Sequence, residues 1–477
     1  MSREIRANYD QVMMFPVTIE DWIATDHPAR FIRDFVYALD LNELGFVQRK
    51  SDVGRPNYAS DLLLSVWIYG YMTGVRSSRR LEQACRSDMG FIWLTGNHGP
   101  DHNSLWRFWR DNKRVFREVF KQTVNVSMKS GLIGLVVQAI DGTKIQAKSS
   151  RAGAKREKKL KETLLNLDAR INEIMQETEK AQQEQTGQFR LPDHLVDTIT
   201  RKAQIEKALQ ELNRTGKKAI HPNEPDACFM KTNRSVELAY NAQIVSDEEN
   251  NIIVAQDVVT DASDNGCLVP MLRLSKENLG STARENLADG GYFSSSQIGL
   301  AESEHYDILV NAPSSDKVIE TSDAPPYHTS RFTYDEEHDC VICPHCSRLT
   351  FSSQRMKGSN NNEFRVYKCR NHKSCPNRQT CSSNKLGRTV EISVHYKALE
   401  SQRRKRRDVG SKCLLKMRKY IVEPVFAWIK SNMGFDRWGV LGLTNAKWQW
   451  ALVCSVLNLK KMFRYWKTKE LILNSAN

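Results

Sequence analysis

The sequence has no long hydrophobic run. Its longest apolar stretches, GLIGLVV and ALVCSVL, fall far short of the ~20 residues that a membrane-spanning helix needs. Behind the charged opening MSREIRANYDQVMMF there is no apolar h-region. No secretory leader is therefore expected, and the cytoplasm is the expected compartment. Acidic residues are in short supply: 56 Asp plus Glu stand against 70 Lys plus Arg, a net charge of +14. That balance fits a polyanionic partner, nucleic acid first, and it fits a generally solvated basic surface as well. Eleven cysteines in a reducing compartment do not suggest a disulfide framework. Six of them nevertheless fall between Cys340 and Cys381. Hydrophobic residues are plentiful, at 40% of 477, enough for a real core spread over about two to four domains.

Residues 1 to 130 read as helical. SDLLLSVWIYGYMTG opens on a Ser60/Asp61 cap signal, and SSRRLEQACRSD is a short basic helix. A longer helical stretch begins with a cap at Asn103 or Ser104, with Trp106, Trp109, Phe116 and Phe120 on its expected buried side. Arginines crowd the other faces. The pattern suits a helix-turn-helix-like DNA-binding module and also an ordinary bundle with a charged outside. At LIGLVVQAIDG the period changes to that of a buried strand ending on Asp141. Residues 151 to 215 return to helical spacing around a polar break, a helical hairpin inserted into something else. SVELAYNAQIV and NIIVAQDVVT read as a β-hairpin, NGCLVPMLRLSKENLG as a helix, and ENLADGG as a short strand ending on Asp289. YDILVNAP is one more strand. Residues 312 to 400 are polar and irregular, and two helices close the chain. The fold class expected is α/β with a mixed sheet.

Asp141 and Asp289 each end an expected strand and precede glycine, where a side chain leaves the sheet rim and a substrate can come close. In IVEPVFAWIKSNMGF, Glu423 and Lys430 stand seven residues apart, close to two helical turns, so a regular helix would put them on one face. Three such carboxylates, brought together, form an all-oxygen pocket for Mg²⁺ or Mn²⁺. Two such ions can activate a water or a 3′ hydroxyl in phosphoryl transfer. Singly, each residue also reads as a turn former or a surface charge. Asp257, Asp261 and Asp264 rival Asp289, and Asp436 rivals Glu423.

Order and context single out the three. GRPNYASDLLLSVWIYGYMTGVRSSRRLEQACRSDMGFIWLTG with PDHNSLWRFWR, then IDGTKIQAKSS, AYNAQIV, VTDASDNG, LADGGYFS and VEPVFAWIK, follow one another along the chain. Together they resemble a bacterial insertion-sequence transposase of the DDE type with an InsH-type N-terminal domain, over nearly the whole length. The resemblance implies an RNase H-like core with Asp141 on the first strand, Asp289 after the fourth, Glu423 on a late helix and Lys430 in the family's lysine position. Related transposases carry Tyr-x2-Arg-x3-Glu before that lysine. Here those two positions are Lys416 and Lys419, with Arg418 adjacent.

The cysteines of CVICPHC and KCRNHKSCPNRQTC suit a zinc knuckle or ribbon, with Cys343 and Cys346 as the best-spaced pair and their partners drawn from Cys369, Cys375 and Cys381, of which Cys375 and Cys381 are the expected ligands. Free thiols in a loose insertion are the alternative. SQRRKRRDVGSKCLLKMRK, carrying Arg403, Arg404, Arg406, Arg407, Lys416, Arg418 and Lys419, is expected to hold DNA backbone. Arg79, Arg80, Arg107 and Arg110 are further candidates for contacts to terminal repeats.

The expected organisation is therefore a DNA-binding domain over residues 1–130 and a catalytic core over 131–311 and 411–477. The helical hairpin 151–215 and a Cys-rich insertion, expected to bind zinc, with a basic linker over 312–410 interrupt the core. The expected activity is metal-dependent cleavage and strand transfer of DNA with two Mg²⁺ or Mn²⁺ ions. Its partners would be the element's terminal inverted repeats and target DNA, its assembly a homodimer in the synaptic complex, and its location the bacterial nucleoid. The rival functions are a nuclease without strand transfer and a catalytically dead zinc-containing DNA-binding protein.

Overall fold

A computed structural model describes residues 18–47, 57–183, 193–232, 235–312, 325–357 and 362–475. The opening fifteen residues and most of the polar break in the helical hairpin, both read from sequence above, lie outside them. The chain divides into two compact units. One comprises Met1–Thr123, Asn432–Gly434 and Ala451–Asn477, and the other Val124–Ser431 with Phe435–Trp450.

The first unit is helical, as expected. Its helices include Pro28–Tyr37, Ser60–Thr73, Ser78–Ser87, Met89–Leu94 and His102–Asn112. Side chains cap most of their starts. Ser77 accepts from the Arg80 amide, and Asp88 from Gly90 and Phe91. The cap of the helix His102–Asn112 is Asp101, which takes the amides of Asn103 and Ser104 at 2.9 Å, so the cap lies two or three residues ahead of the expected Asn103 or Ser104. Trp109 packs between Trp67 and Phe116, with ring centroids 5.0 and 4.9 Å apart. Trp106 departs from expectation: it is 50% exposed, and the Arg110 guanidinium lies over its ring.

The second unit is built on a six-stranded mixed sheet. Its strands are β1 (Val137–Gln146), β2 (Cys228–Lys231), β3 (Val236–Asp247), β4 (Ile253–Val259), β5 (Glu285–Ala288) and β6 (Ile308–Val310). β3 pairs antiparallel with β1 along one edge and with β2 and then β4 along the other. β5 runs parallel to β1, and β6 parallel to β5. The strand β1 is longer than the apolar run suggests. It passes through Asp141 and continues to Gln146, because its polar second half pairs with β3 from Ala239 to Gln243.

The helical hairpin forms as Glu157–Gln183 and Asp193–Thr215. Its seam buries Leu160, Ile205, Ala208 and Leu212 with Ile220. An ion pair between Lys202 and Asp168 ties the two helices. The Cys-rich region is not irregular. It folds into a five-stranded antiparallel sheet of β7 (Thr333–Asp335), β8 (Cys340–Ile342), β9 (Arg348–Lys357), β10 (Asn362–Lys368) and β11 (Thr389–Ser393), in the order β11-β10-β9-β8-β7. Its core is small: Phe332, Val341, Leu349, Tyr367 and Val390. From β10, the Asn362 amide oxygen accepts from the Ser294 and Ser295 hydroxyls and the Ser296 amide, which fixes the start of the helix Ser295–Ser303.

The helix Val409–Ala427 lays Ile421 and Val422 on Val137 and Ala139 of β1, Leu287 of β5 and Leu309 of β6. Pro424 lies inside this helix rather than at its start. Proline has no amide to offer the Tyr420 carbonyl one turn back. Asn251, in the β3–β4 turn, replaces it: its side-chain amide donates to Tyr420 O at 3.2 Å and Ile421 O at 3.0 Å. Beyond Ala427 the helix widens into a π segment, Trp428–Asn432. No helix among the described residues is long and apolar enough to cross a membrane.

Candidate active site

The parallel register of β1 and β5 sets Ile140 beside Ala288. The next residue on each chain is an aspartate, Asp141 and Asp289. Neighbouring strands lie about 4.8 Å apart, so two carboxylates leave the sheet side by side. Side chains alternate along β1, so Asp141 shares the face of Val137 and Ala139, the face the Glu423 helix covers.

Both carboxylates are held. The Asp141 Oδ1 accepts from the Gly142 amide at 2.8 Å. Its Oδ2 accepts from Arg418 Nη1 at 2.9 Å, with the Asp141 and Arg418 side chains 19% and 12% exposed. Burial pushes the Asp141 carboxyl above the usual range. The Arg418 guanidinium pulls it back, and the Asp289 charge pushes it up again. Asp289 caps a short 3₁₀ turn by accepting from the Gly291 amide.

A third aspartate adjoins the pair. Asp264 takes Lys144 Nζ on both oxygens, at 2.9 and 3.1 Å. Its Oδ1 also accepts from Asn241 at 2.6 Å and Gln243 at 2.8 Å. The Gln243 side-chain oxygen accepts the hydroxyl of Tyr292, a fully buried ring three residues after Asp289. This network runs along the opposite face of β1 and fills the space beside two glycines. A Cβ on Gly142 would come 2.1 Å from Gln243 Nε2, and one on Gly291 would come 2.9 Å from Asp289 Oδ1 and 3.6 Å from Asp264 Oδ2. Asp264 is the rival weighed for the second carboxylate, and it is already saturated with donors. Asn241, Gln243 and Tyr292 escaped the sequence reading. The signal for Asn241 and Gln243 was polar side chains alternating inside the apolar strand AYNAQIV; Tyr292, in LADGGYFS, carried none.

Lys430, in the π segment, is half-buried near Asp141 and Asp436. Burial pulls its ammonium below the ordinary lysine value, while both carboxylates push it up. Glu423 is exposed on the helix. The π segment intervenes between the two, so Lys430 is out of the register that a regular helix gives. Asp436 is exposed, and its carbonyl accepts the Gln146 amide at the end of β1.

The oxygen donors of Asp141 and Asp289 fit a hard divalent cation in kind. Among the described residues, however, no three His, Cys, Asp or Glu side chains are drawn into a set that could hold an ion. The thiols follow the same rule. Cys343, Cys369 and Cys381 pack against the core of the five-stranded sheet, and Cys381 feels the charges of Cys343, Cys375 and Cys369. Cys346, expected as a ligand, is exposed, with φ at +57° in a tight turn. Cys369, a candidate beside Cys375 and Cys381, packs with Cys343 and Cys381 against that core. Among the described residues all eleven cysteines are free of disulfides.

The basic residues divide. Arg404, Arg407, Lys416 and Lys419 are exposed, as are Arg79, Arg80, Arg107 and Arg110 in the first unit. Arg403 pairs with Glu400. Arg406 is buried, with its guanidinium against Val310 O and over the Phe293 ring, so in this conformation it serves the fold rather than a surface.

Comparison with known proteins adds two family matches. A transposase domain of the DUF772 family matches residues 17–111, within the helical unit. A transposase DDE domain matches residues 342–463, a stretch that holds Arg418, Glu423 and Lys430 but neither aspartate. No curated protein and no solved structure matches the chain. The two matched domains, in this order along one chain, indicate an insertion-sequence DDE transposase.

Proposed function

We propose that the chain binds the ends of its element and cuts and joins DNA, with Asp141, Asp289 and Glu423 as the metal-holding carboxylates of an RNase H-like core. The observation that carries this reading is the β1–β5 register, which delivers Asp141 and Asp289 side by side. The strand order β4-β3-β1-β5-β6, antiparallel up to β1 and parallel beyond it, supports the RNase H-like assignment. Glu423 sits on the helix that covers the Asp141 face, two residues from Ile421 in that packing. Mg²⁺ or Mn²⁺ bound there would supply Lewis acidity and lower the pKa of an attacking water or 3′ hydroxyl.

In this reading the chain's own residues orient and ground the reaction. The carboxylates hold charge side by side, Asp141 within β1 and Asp289 just past β5. Tyr292, Gln243 and Asp264 fix the turn that carries Asp289. Lys430 and the exposed Lys416 and Lys419 meet phosphates, and Arg79, Arg80, Arg107 and Arg110 meet DNA from the helical unit. A dimer would join two element ends in one complex.

Incubating the protein with precleaved element ends, plasmid and Mn²⁺ tests this. Joined products are expected, and they disappear with Asp141→Asn, Asp289→Asn or Glu423→Gln. Cutting without joining would favour the nuclease reading.

We also propose a structural zinc at the thiols. Its support is the soft donor set and the five-residue core, which is small for a stable sheet. About one zinc per purified chain is expected; a folded, zinc-free chain would reject it.

A further inference from the structure

The Arg418–Asp141 pair leaves no simple room for the cation that the proposed function requires. One Asp141 oxygen is taken by the Gly142 amide and the other by the guanidinium. A guanidinium and a divalent ion are both cations, and within one mostly buried pocket they compete for the same carboxylate. Arg418 has an alternative partner within reach of its own helix. Lys412, Lys416 and Lys419 are exposed on either side of it, so a DNA backbone drawn to them would offer phosphate oxygens. Arginine binds phosphate through two parallel hydrogen bonds and stays charged at any working pH.

We propose that Arg418 is a shared side chain that couples metal binding to DNA binding. Without ligands it is the counter-ion of Asp141. When DNA lies along the helix it moves to a phosphate and leaves the carboxylate to the metal. The inference rests on the proposed role of Asp141 as a metal ligand. It predicts positive cooperativity of a definite kind: DNA tightens Mn²⁺ binding, and Mn²⁺ tightens DNA binding by the same factor, because linkage is reciprocal. The coupling passes through one residue, so it should vanish with that residue.

The test is the Mn²⁺ affinity of the full chain, read by electron paramagnetic resonance of free Mn²⁺, with and without a random-sequence DNA duplex. In the wild-type chain the duplex should tighten Mn²⁺ binding on the order of fivefold or more. Arg418→Gln should bind Mn²⁺ more tightly than wild type without DNA, and should gain nothing when DNA is added. Arg418→Lys, which keeps the charge, should retain part of the coupling.

If Arg418→Gln does not fold, Asp141→Asn supplies a second reading. It frees the guanidinium, so metal-free duplex affinity should rise, and Asp141→Asn with Arg418→Gln should abolish that rise. Wild-type Mn²⁺ affinity and wild-type coupling in Arg418→Gln would overturn the inference while leaving Asp141 as a ligand. Mn²⁺ binding that is indifferent to Asp141→Asn would overturn both.

Discussion

Arg418 Nη1 lies 2.9 Å from Asp141 Oδ2, joining the Val409–Ala427 helix to the central strand of the sheet. The pair sets the charge state of the carboxylate on which the proposed chemistry depends. Burial and Asp289 favour the neutral acid, and Arg418 favours the anion. A carboxyl raised in the folded state ionises at higher pH than in the unfolded chain. Its ionisation therefore costs stability as pH rises through the raised value, and its use as a ligand is lost as pH falls through it. Mn²⁺ titrations across pH should show binding failing above the ordinary carboxylate range. Arg418→Gln should move that acid limb upward, and an unmoved limb would contradict the electrostatic account.

Asn251 is predicted to be a structural partner of Pro424. Replacing Asn251 with Ala leaves the Tyr420 carbonyl without its side-chain donor, at a cost of about 1–3 kcal/mol. Pro424→Ala restores the backbone amide. In that background the cost of Asn251→Ala should shrink. Urea denaturation of the four chains of this double-mutant cycle measures the coupling, and additive effects would show that the two sites are independent.

Gly142 is predicted to be irreplaceable for steric reasons. A methyl group there meets Gln243 Nε2 at 2.1 Å, inside a network that cannot yield without breaking the bonds to Asp264. Gly142→Ala should destabilise by about 1–3 kcal/mol. Gly216→Ala, where nothing lies within 4 Å but φ is +64°, should cost about 1 kcal/mol from backbone strain alone. Thermal unfolding ranks the two.

Much of this architecture could be read in advance, and the failures share a cause. The β-branched run before Asp141, the β3–β4 hairpin and the hairpin leucines all carry their own periodicity. The second half of β1 does not: Thr143 and Lys144 look like loop until Asn241 and Gln243 are seen opposite them. The strand β9 is exposed at nearly every position, so it has no apolar alternation to detect, and its sheet reads as irregular chain in the sequence. Trp106 reads as core from its aromatic character, whereas the Arg110 guanidinium covers it instead. In the site, the aspartates were visible through the glycines that follow them. Arg418 on Asp141 and Asn251 on Tyr420 were not, since each joins residues more than a hundred positions apart.

Tyr292→Phe removes one hydroxyl from a fully buried ring and leaves the Gln243 oxygen without that donor. A loss of about 1–3 kcal/mol in stability is expected, and weaker Mn²⁺ binding with it if the network positions Asp289. Unchanged Mn²⁺ affinity in a destabilised chain would confine Tyr292 to the fold.

The convergence of the three carboxylates is tested most directly by a crystal structure of the chain with a DNA end and Mn²⁺, located by anomalous scattering. The account predicts Mn²⁺ within about 2.0–2.6 Å of oxygens from Asp141, Asp289 and Glu423 together, with Arg418 on a phosphate. Mn²⁺ bound by the two aspartates while Glu423 remains turned to solvent would contradict it.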